Sequence, residues 1–369
     1  RRDDNGKIVK KDDHLMDCYS EDTDVLTKDG WKQWPDVTEK DLFATVNLDT
    51  DEIEYQFPTE LIERDHVGDM IEIKNHSLDF LVTPNHRMVV YKRGSKGYYQ
   101  TPSIKEAKDL TVWDKLKGTA TWAGQDFTPP VDVSQEDWAT FLGWYVSEGY
   151  ATSAPRCPGY GYHVGICQSE HAHPEHVAAL RELLDRFPMK WHYDGSKFYC
   201  SNKELWTIVR PLGSVYVKQA PQEIMNAKPE IIEKFLNAAV NGDGWIQGKG
   251  WTYATTSRKL ADQIQELTIK AGYNSSFRIV AAPDWHIEGR SGKSQIQYWV
   301  SKIGTKNPLL RDYKNTPSFR SVPYEGKVYC ATVPNGTLIV RRGKRAIVAG
   351  NCLRYGIISG ARFGKSPNF

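Results

Sequence analysis

The hydrophobic periodicity of the chain changes twice, and this change constrains the fold more than any single motif. Apolar residues alternate with polar ones near both ends, as in residues 70–74 and 327–333. Period two is typical of strands that bury one face. After Pro129 and Pro130, apolar residues recur at helical spacing, first in the segment 138–145. We therefore predict a mixed fold in which an α+β segment interrupts an all-β domain.

Composition narrows the function classes. The chain has 369 residues, enough for two domains, and a net charge of +2, so any nucleic-acid site must be local. No apolar run approaches the ~18 residues of a membrane span. The six cysteines form no CxxC pair. We expect a monomer without a membrane partner, in the reduced cytoplasm of a cell.

Four short blocks stand in order along the two β-patterned ends. They are Cys18, Thr83-Pro84-Asn85-His86, Val328-Tyr329-Cys330 and Asn351-Cys352. Their residue types and order resemble the splicing blocks of inteins, which share the hedgehog/intein (Hint) fold. The resemblance implies that residues 18–351 excise themselves autocatalytically, and that the flanks 1–17 and 352–369 are host (extein) fragments joined afterwards.

The resemblance also implies a role for each residue and no cofactor. Cys18 attacks the preceding carbonyl, which converts the amide to a thioester. His86 is the general acid and Thr83 donates a hydrogen bond to the tetrahedral oxygen. Cys352 then takes over the thioester, with help from Cys330. Asn351 cyclises and releases the second junction.

Three features depart from the intein pattern. Gly350 stands where most inteins have His, and no second His follows Val333 and Pro334, so cyclisation of Asn351 lacks its usual donor. The carboxylate of Asp17 could attack the thioester and cause cleavage without ligation. Two alternatives therefore stay open. One is a DNA endonuclease whose splicing module is reduced to junction cleavage, and the other is a structural or host-nuclease protein.

The middle segment contains an internal duplication. A helix is expected from the Ser134 cap to Glu148, and another from Pro229 to Asp243. Strand-like stretches and a second amphipathic helix follow each of them, over 177–187 and 260–271. Such a repeat predicts pseudo-twofold symmetry.

Residues 141–149 (FLGWYVSEG) and 236–244 (LNAAVNGDG) end the two leading helices. They resemble the two motifs of LAGLIDADG homing endonucleases, which cleave double-stranded DNA. The resemblance implies that Glu148 and Asp243 meet at the helix ends and bind Mg²⁺. It also assigns Lys218 to charge stabilisation. The small residues Gly143, Ala238 and Ala239 would let the helices approach.

Polar residues on the predicted strands are the candidates for DNA contacts: His163, Gln168, His192, Lys197, Tyr199, Arg278, Gln295 and Gln297. The cluster of His171, His173 and His176 allows a metal site or a surface turn, and its position beside Pro174 favours the turn.

These observations divide the chain into five parts. Residues 1–17 are an N-extein fragment, 18–128 and 316–351 the two pieces of the splicing domain, 129–315 the endonuclease domain and 352–369 a C-extein fragment. Joined together, residues 12–17 and 352–356 form an amphipathic pattern that resembles the end of a phage terminase large-subunit nuclease domain.

Overall fold

The computed structural model describes residues 17–76, 78–153, 161–281, 285–287, 290–292, 295–312 and 314–351. Residues 1–16 and 352–369 are not among them, so Cys352 and the terminase-like flanks lie outside the described residues and stay predictions. Among the described residues, no helix is both long enough and apolar enough to cross a membrane.

Thirteen strands come from the two ends of the chain. They are β1 (Tyr19–Ser20), β2 (Asp24–Thr27), β3 (Gly30–Gln33), β4 (Phe43–Asn47), β5 (Glu52–Gln56), β6 (Glu60–Lys74), β7 (Asp79–Val82), β8 (Arg87–Arg93), β9 (Tyr99–Glu106), β10 (Lys115–Leu116), β21 (Phe319–Thr332), β22 (Thr337–Arg341) and β23 (Ala346–Gly350). The Asp29–Gly30 turn joins β2 to β3, and Gly30 adopts φ 105°, a value that favours glycine.

Both sheets of this β-body mix strands from the two ends of the chain. One is a closed barrel in the order β1-β21-β6-β7. The other has the order β10-β8-β23-β22-β2-β4-β5, with β3 added on β2 and β9 on β8. The C-terminal strands thus occupy interior positions in both sheets, and neither end could complete the body alone.

The middle of the chain is α+β, so the predicted mixed class is confirmed. Its helices are α1 (Gln135–Glu148), α2 (Pro174–Leu184), α3 (Lys203–Val209), α4 (Gln222–Met225), α5 (Pro229–Asp243) and α6 (Arg258–Lys270). Its strands are β11 (Gly149–Ser153), β12 (Tyr162–Cys167), β13 (His192–Tyr193), β14 (Lys197–Ser201), β15 (Gly244–Gln247), β16 (Gly250–Thr255), β17 (Asn274–Val280), β18 (Trp285–Ile287), β19 (Arg290–Gly292) and β20 (Gln297–Ile303).

The duplication is visible in the sheet topology. The first four-stranded sheet has the order β11-β12-β14-β13, and the second has the equivalent order β15-β16-β20-β17. Each sheet follows one leading helix (α1 or α5) and receives a second helix (α2 or α6) between its hairpins. The second copy also carries the small β18–β19 sheet before its last strand. The two leading helices pack side by side and share one apolar core with both sheets.

The predicted domain boundaries differ from the contacts by several residues. The backbone N–H of Gln125 donates to the carbonyl of Asn226 at 2.8 Å, so the chain joins the α+β part before residue 128. On the return, the N–H of Leu116 donates to the carbonyl of Pro308 at 3.0 Å, and Leu310 is buried in the β-body core. The sequence did not predict these contacts between the two parts, because both connecting segments lack a regular hydrophobic periodicity.

A buried cation joins the two parts. Arg341 is 1% exposed and donates to Asp24 of β2 at 2.9 Å and to Gln265 of α6 at 2.6 Å. It also forms an ion pair with Asp262 of α6 at 2.7 Å. Because burying an unpaired guanidinium is expensive, these partners tie α6 to the β-body.

Candidate catalytic centres

The β-body brings the two predicted scissile junctions together. Cys18 immediately precedes β1, which lies between β21 and β7, and Asn351 immediately follows β23, which lies between β22 and β8. Tyr19 connects the two, because its hydroxyl donates to the carbonyl of Gly350 at 2.7 Å. Cys18, His86 and Asn351 have no exposed surface. The first centre is therefore a buried site made from both ends of the chain.

Thr83 contacts the nitrogen of the first junction. The backbone N–H of Cys18 donates to Thr83 Oγ1 at 3.0 Å, and the N–H of Thr83 donates to the carbonyl of Cys18 at 3.0 Å. In this geometry the hydroxyl faces the nitrogen that would leave. Its expected hydrogen bond to the tetrahedral oxygen stays a prediction.

His86 and Cys330 lie beside the same residues. The His86 N–H donates to the carbonyl of Thr83 at 2.9 Å, and its ring meets the Tyr19 ring edge-on at 4.3 Å. Tyr19 also pairs with Tyr329 across β1 and β21. Continued by one residue, this register sets Cys18 opposite the buried Cys330.

Arg87, the first residue of β8, is the functional candidate that the sequence analysis missed. Its Nε donates to Asp17 Oδ2 at 3.0 Å and to the backbone carbonyl oxygen of Asn351 at 3.1 Å. Its Nη2 donates to the same carbonyl and to Asn351 Oδ1, the latter at 2.7 Å. One guanidinium thus contacts the residues before both junctions. The only available signal was a cation directly after the Thr-x-x-His block.

Gly350 is explained by Arg87. A Cβ at position 350 would lie 2.5 Å from the Arg87 carbonyl oxygen and 2.6 Å from its Cβ, which are impossible contacts. Any larger residue would displace β8. Glycine at position 350 therefore permits the close pairing of β23 with β8 that places Arg87 beside Asn351.

The Asn351 side chain is held at both ends. Its Nδ2 donates to the carbonyl of Val333 at 3.0 Å, and Oδ1 accepts from Arg87. Its backbone N–H donates to the carbonyl of Gly336 at 3.1 Å. Nearby, burial raises the pKa of Tyr19 well above its ordinary value, so that hydroxyl remains a hydrogen-bond donor.

The second centre lies where α1 and α5 end. A Cβ on Gly143 would lie 2.7 Å from Ala238 Cβ, and one on Gly242 would lie 2.5 Å from Ser147 Cβ. Only glycine permits helices this close, and Ser147 Oγ fixes the contact by donating to the carbonyl of Ala239 at 2.9 Å. Ala238 lies opposite Gly143, in agreement with the expected close approach of the two helices. The close approach brings the two helix ends, and with them Glu148 and Asp243, together.

The electrostatics show two crowded carboxyl groups. Burial, and then the charge of Asp243, raise the pKa of Glu148 to about 7. Burial also raises the pKa of Asp243, and Lys218 opposes both shifts. Burial in turn lowers the pKa of Lys218. Its Nζ donates to the carbonyl of Ser147 at 2.9 Å and to that of Tyr145 at 3.2 Å.

This donor set fits a hard divalent cation. Two neighbouring carboxylates, Glu148 partly buried and Asp243 exposed, are the oxygen ligands that Mg²⁺ prefers, and a cation would offset their negative charge. Asp243 borders a cavity of about 330 Å³, lined also by Lys218, Trp245 and Gln297.

Four of the proposed DNA-contacting residues share one solvent-facing side of the first sheet. His163 lies opposite Ser201, and Tyr199 lies opposite His192 on β13, with Lys197 two residues before it on the same face of β14. Gln168 differs, because it is only 7% exposed and its carbonyl accepts from Tyr193. The expected exposure of Gln168 is wrong, because its N–H continues the pairing with Ser196 and strand alternation puts it on the buried side with Val164 and Ile166.

In the second sheet, Arg278 of β17 is exposed and lies opposite Trp299 of β20. Gln297 has the same orientation on β20, and its Oε1 accepts from Trp299 Nε1 at 3.0 Å. Gln295 is exposed just before β20. Each sheet therefore presents a polar face beyond the paired carboxylates.

Curated proteins with unrelated names share similarity with this chain. It is 26% identical over 299 residues to an ATP-dependent Clp protease proteolytic subunit of Chlamydomonas moewusii, covering 73% of this chain and 29% of the relative. It is also 26% identical over 411 residues to a DNA-directed RNA polymerase subunit beta C-terminal section of Stigeoclonium helveticum. That alignment covers 94% of this chain and 37% of the relative. The chain spans about a third of the length of these relatives.

Two solved structures align at low similarity. A splice-inactive variant of the AceL NrdHF class 3 split intein covers 92% of this chain and 100% of its own, at 11% identity and a TM-score of 0.31. The homing endonuclease I-DmoI in complex with DNA and Mn covers 46% of this chain and 90% of its own, at 17% identity and a TM-score of 0.32.

One family matches directly. Residues 230–304, which hold Asp243 and most of the second half of the duplication, match the LAGLIDADG-like domain. This match confirms the LAGLIDADG resemblance for the segment that begins with α5.

Proposed function

We propose that the chain catalyses two reactions at its two centres. The β-body excises residues 18–351 and joins the flanks, and the α+β part cleaves double-stranded DNA at a specific site. The observation that carries the splicing half is Arg87, whose guanidinium contacts Asp17 and Asn351 at once. Ligation requires both junctions in one place, and the first and last residues of the excised segment meet here.

The relatives support an inserted element. A protease subunit and an RNA polymerase subunit have no common activity, yet each matches most of this chain over about a third of its own length. A segment that inserts into unrelated host proteins is expected to match parts of proteins that share no activity. The host of the present chain, proposed to be terminase-like, and its cytoplasmic setting rest on sequence alone.

The first step breaks the amide between Asp17 and Cys18. The Cys18 thiolate attacks the Asp17 carbonyl carbon, the C–N bond breaks, and the nitrogen must gain a proton. Thr83 Oγ1 accepts from that N–H at 3.0 Å and so orients the leaving nitrogen, and His86 is proposed as the acid that supplies the proton.

The second junction breaks by cyclisation of Asn351. Its Nδ2 attacks its own carbonyl carbon, negative charge develops on the carbonyl oxygen, and the bond to residue 352 breaks. Two N–H groups of Arg87 already donate to that oxygen. Donors placed there stabilise an oxyanion by about 3–4 kcal/mol, so Arg87 takes the place of the missing His.

Arg87 also bears on the alternative of cleavage without ligation. That outcome requires the Asp17 carboxylate to attack the thioester, but the carboxylate is paired with Arg87 at 3.0 Å. Pairing holds it toward the guanidinium and lowers its nucleophilicity. Full splicing is therefore favoured, with Cys352 accepting the thioester as the sequence predicts.

In the second reaction, Glu148 and Asp243 would hold Mg²⁺, one carboxylate serving each DNA strand. When bound, the cation supplies water activation and stabilises the leaving oxygen. Lys218 adds positive charge beside both carboxylates, and its two carbonyl contacts hold the end of α1 in place. The polar faces of the two sheets would bind the duplex.

Intact-mass measurement of the expressed full chain tests the splicing half. We expect one product of residues 18–351 and one that joins 1–17 to 352–369. The Cys18→Ala, Asn351→Ala double variant, as control, stays at full length. Separate flanks without a joined product would replace splicing with junction cleavage.

Plasmid cleavage in Mg²⁺ tests the nuclease half. The substrate encodes residues 1–17 directly followed by 352–369, and the control plasmid carries the interrupted junction. We expect linearisation of the first plasmid only. An intact substrate at excess protein would contradict the proposal.

A further inference from the structure

A third cluster of ligand-type side chains lies outside both centres, at the start of α2. His173 precedes the helix, and Glu175 and His176 lie in its first turn. One ligand atom from each of the three lies within 4.8 Å of the others. The predicted surface turn over His171 is present, and it leads directly into this cluster.

The spacing of the cluster suits a tetrahedral metal ion. With zinc–ligand bonds of 2.0–2.2 Å, tetrahedral donors lie about 3.4 Å apart. His173 Nδ1 lies 3.5 Å from Glu175 Oε1, and His176 Nε2 lies 3.8 Å from the same oxygen. The distance from His176 Nε2 to Glu175 and the distance between the two histidine nitrogens must both shrink, and both rings keep solvent-exposed surface that allows this movement.

The surroundings select the nitrogen that faces the cluster. The His176 ring meets the ring of Trp144 on α1 edge-on at 5.3 Å. Its Nδ1 is buried and has no hydrogen-bond partner among the described residues, which leaves Nε2 toward Glu175. Burial also lowers the pKa of His176, which favours the neutral ring that binds metals.

The helix N-terminus repels cations weakly, but Glu175 brings a negative charge to this position. Hydrogen bonding to its own backbone N–H is the main cause that lowers the pKa of Glu175, so the carboxylate is ionised. Two imidazoles and a carboxylate are the donors that zinc and its neighbours in the first transition row prefer over Mg²⁺.

We infer that His173, Glu175 and His176 bind one divalent transition-metal ion, Zn²⁺ being the best fit, at a site separate from the paired carboxylates. The ion fastens the turn before α2 to its first helical turn. Through the contact of His176 with Trp144, it also braces α2 against the helix that carries Glu148. The role is structural, and it does not depend on splicing or DNA cleavage.

Calorimetric titration with ZnCl₂ tests this site. The sample is the full chain with Cys18→Ala and Asn351→Ala, purified without a polyhistidine tag, in excess MgCl₂ to occupy the carboxylate pair. We expect one Zn²⁺ per chain, and a loss of affinity of at least about tenfold in His173→Ala and in His176→Ala. His171→Ala is the matched control, an exposed neighbour outside the cluster, and should bind as the parent does.

Two further variants locate the bound ion. In Glu148→Gln and in Asp243→Asn, Zn²⁺ affinity should be unchanged, and the Co²⁺ form should show no thiolate charge-transfer absorption. Equal affinity in His176→Ala and His171→Ala would overturn the inference. Loss of binding in the Glu148 or Asp243 variants, or a thiolate band, would overturn it as well. Circular dichroism of each variant establishes that it is folded.

Discussion

The two catalytic centres differ in how the protein completes them. At the splicing centre, Cys18, His86 and Asn351 have no exposed surface, and the Asp17 charge is paired with Arg87. At the helix ends, Glu148 is only partly buried, and Asp243 is exposed and borders a cavity. A reaction on the protein's own chain needs no entry path, so its site can be sealed. A site for DNA must stay open.

The two centres also differ in the balance of their charged groups. The splicing centre contains hydrogen-bond partners for both the carbonyl and the side chain of Asn351. The helix ends place two carboxyl groups against a single ammonium, and the pKa of Glu148 rises to about 7. At the first centre the groups of Asn351 are paired within the protein, whereas the second has an excess of negative charge that a cation would offset.

The largest effect should come from separating the two centres genetically. Asn351→Ala removes the cyclising group, so release of the second junction should be abolished while plasmid cleavage persists. Asp243→Asn should lower plasmid cleavage at least ~10²-fold while splicing continues. Mass spectrometry and gel assays on the same samples measure both. Loss of both activities in either variant would mean that the centres are not independent.

Arg87→Met should slow release of the second junction by about 10²–10³-fold, because the developing oxyanion loses its donors. The time course of fragment appearance measures this rate. Lys92→Met, an exposed cation on the same strand, is the control and should process normally. An unchanged rate in Arg87→Met would show that the sealed centre does not use this guanidinium.

Arg341→Met tests how firmly the two regions are joined. Removing Arg341 leaves Asp24 and Asp262 with Arg258 as their remaining cation, at 3.9 Å and 2.9 Å. The expected loss therefore lies at the low end for a broken buried ion pair, about 3 kcal/mol of unfolding free energy. Urea denaturation measures it. Arg320→Met, at an exposed ion pair with Glu72, should change the free energy by less than about 1 kcal/mol. Equal losses in the two variants would contradict a network that holds the regions together.

The smallest effect is a gain in stability. The folded-state pKa of Glu148 is raised, so its stabilising contribution is present below the unfolded-state pKa and is lost as pH rises through about 7. In metal-free buffer, Glu148→Gln should therefore be more stable than wild type at pH 8 and equal to it near pH 4.

Because Glu148 is partly solvated, the expected gain is discounted to the order of 1 kcal/mol, a rise of about 2–4 °C in Tm. Thermal scans at the two pH values measure it, with Glu170→Gln, an exposed carboxylate, as control. A stability difference that does not depend on pH would show that the carboxyl group is not strained by its surroundings.

Local signals in the sequence predicted the elements well. Ser134 caps α1 by accepting from the N–H of Asp137 at 3.0 Å, and α1 ends at Glu148 as expected. The Asp194–Gly195 turn joins β13 to β14, with φ 94° at the glycine. These caps and turns depend on neighbours within a few residues, so they can be predicted from the sequence.

Contacts between residues far apart in the chain could not be predicted from the sequence. Gln168 matched the polar pattern of a strand face but is buried, because strand alternation puts it on the buried side with Val164 and Ile166. The two segments that connect the β-body to the α+β part have no hydrophobic periodicity. The predicted domain boundaries therefore lie several residues away from the contacts of those segments. Burial and sidedness outside regular elements depend on the surrounding body.

The sequence by itself determined the element types and the duplication, because each depends on short-range pattern, and residue identity gave the candidates for the two proposed reactions. Only the tertiary structure decided that Arg87 meets Asn351, 264 positions away, and that Gly350 must be glycine to allow it. The pairing of β8 with β23 sets that contact. Strand pairing at such separation is selected by burial of the whole core, which no local segment encodes.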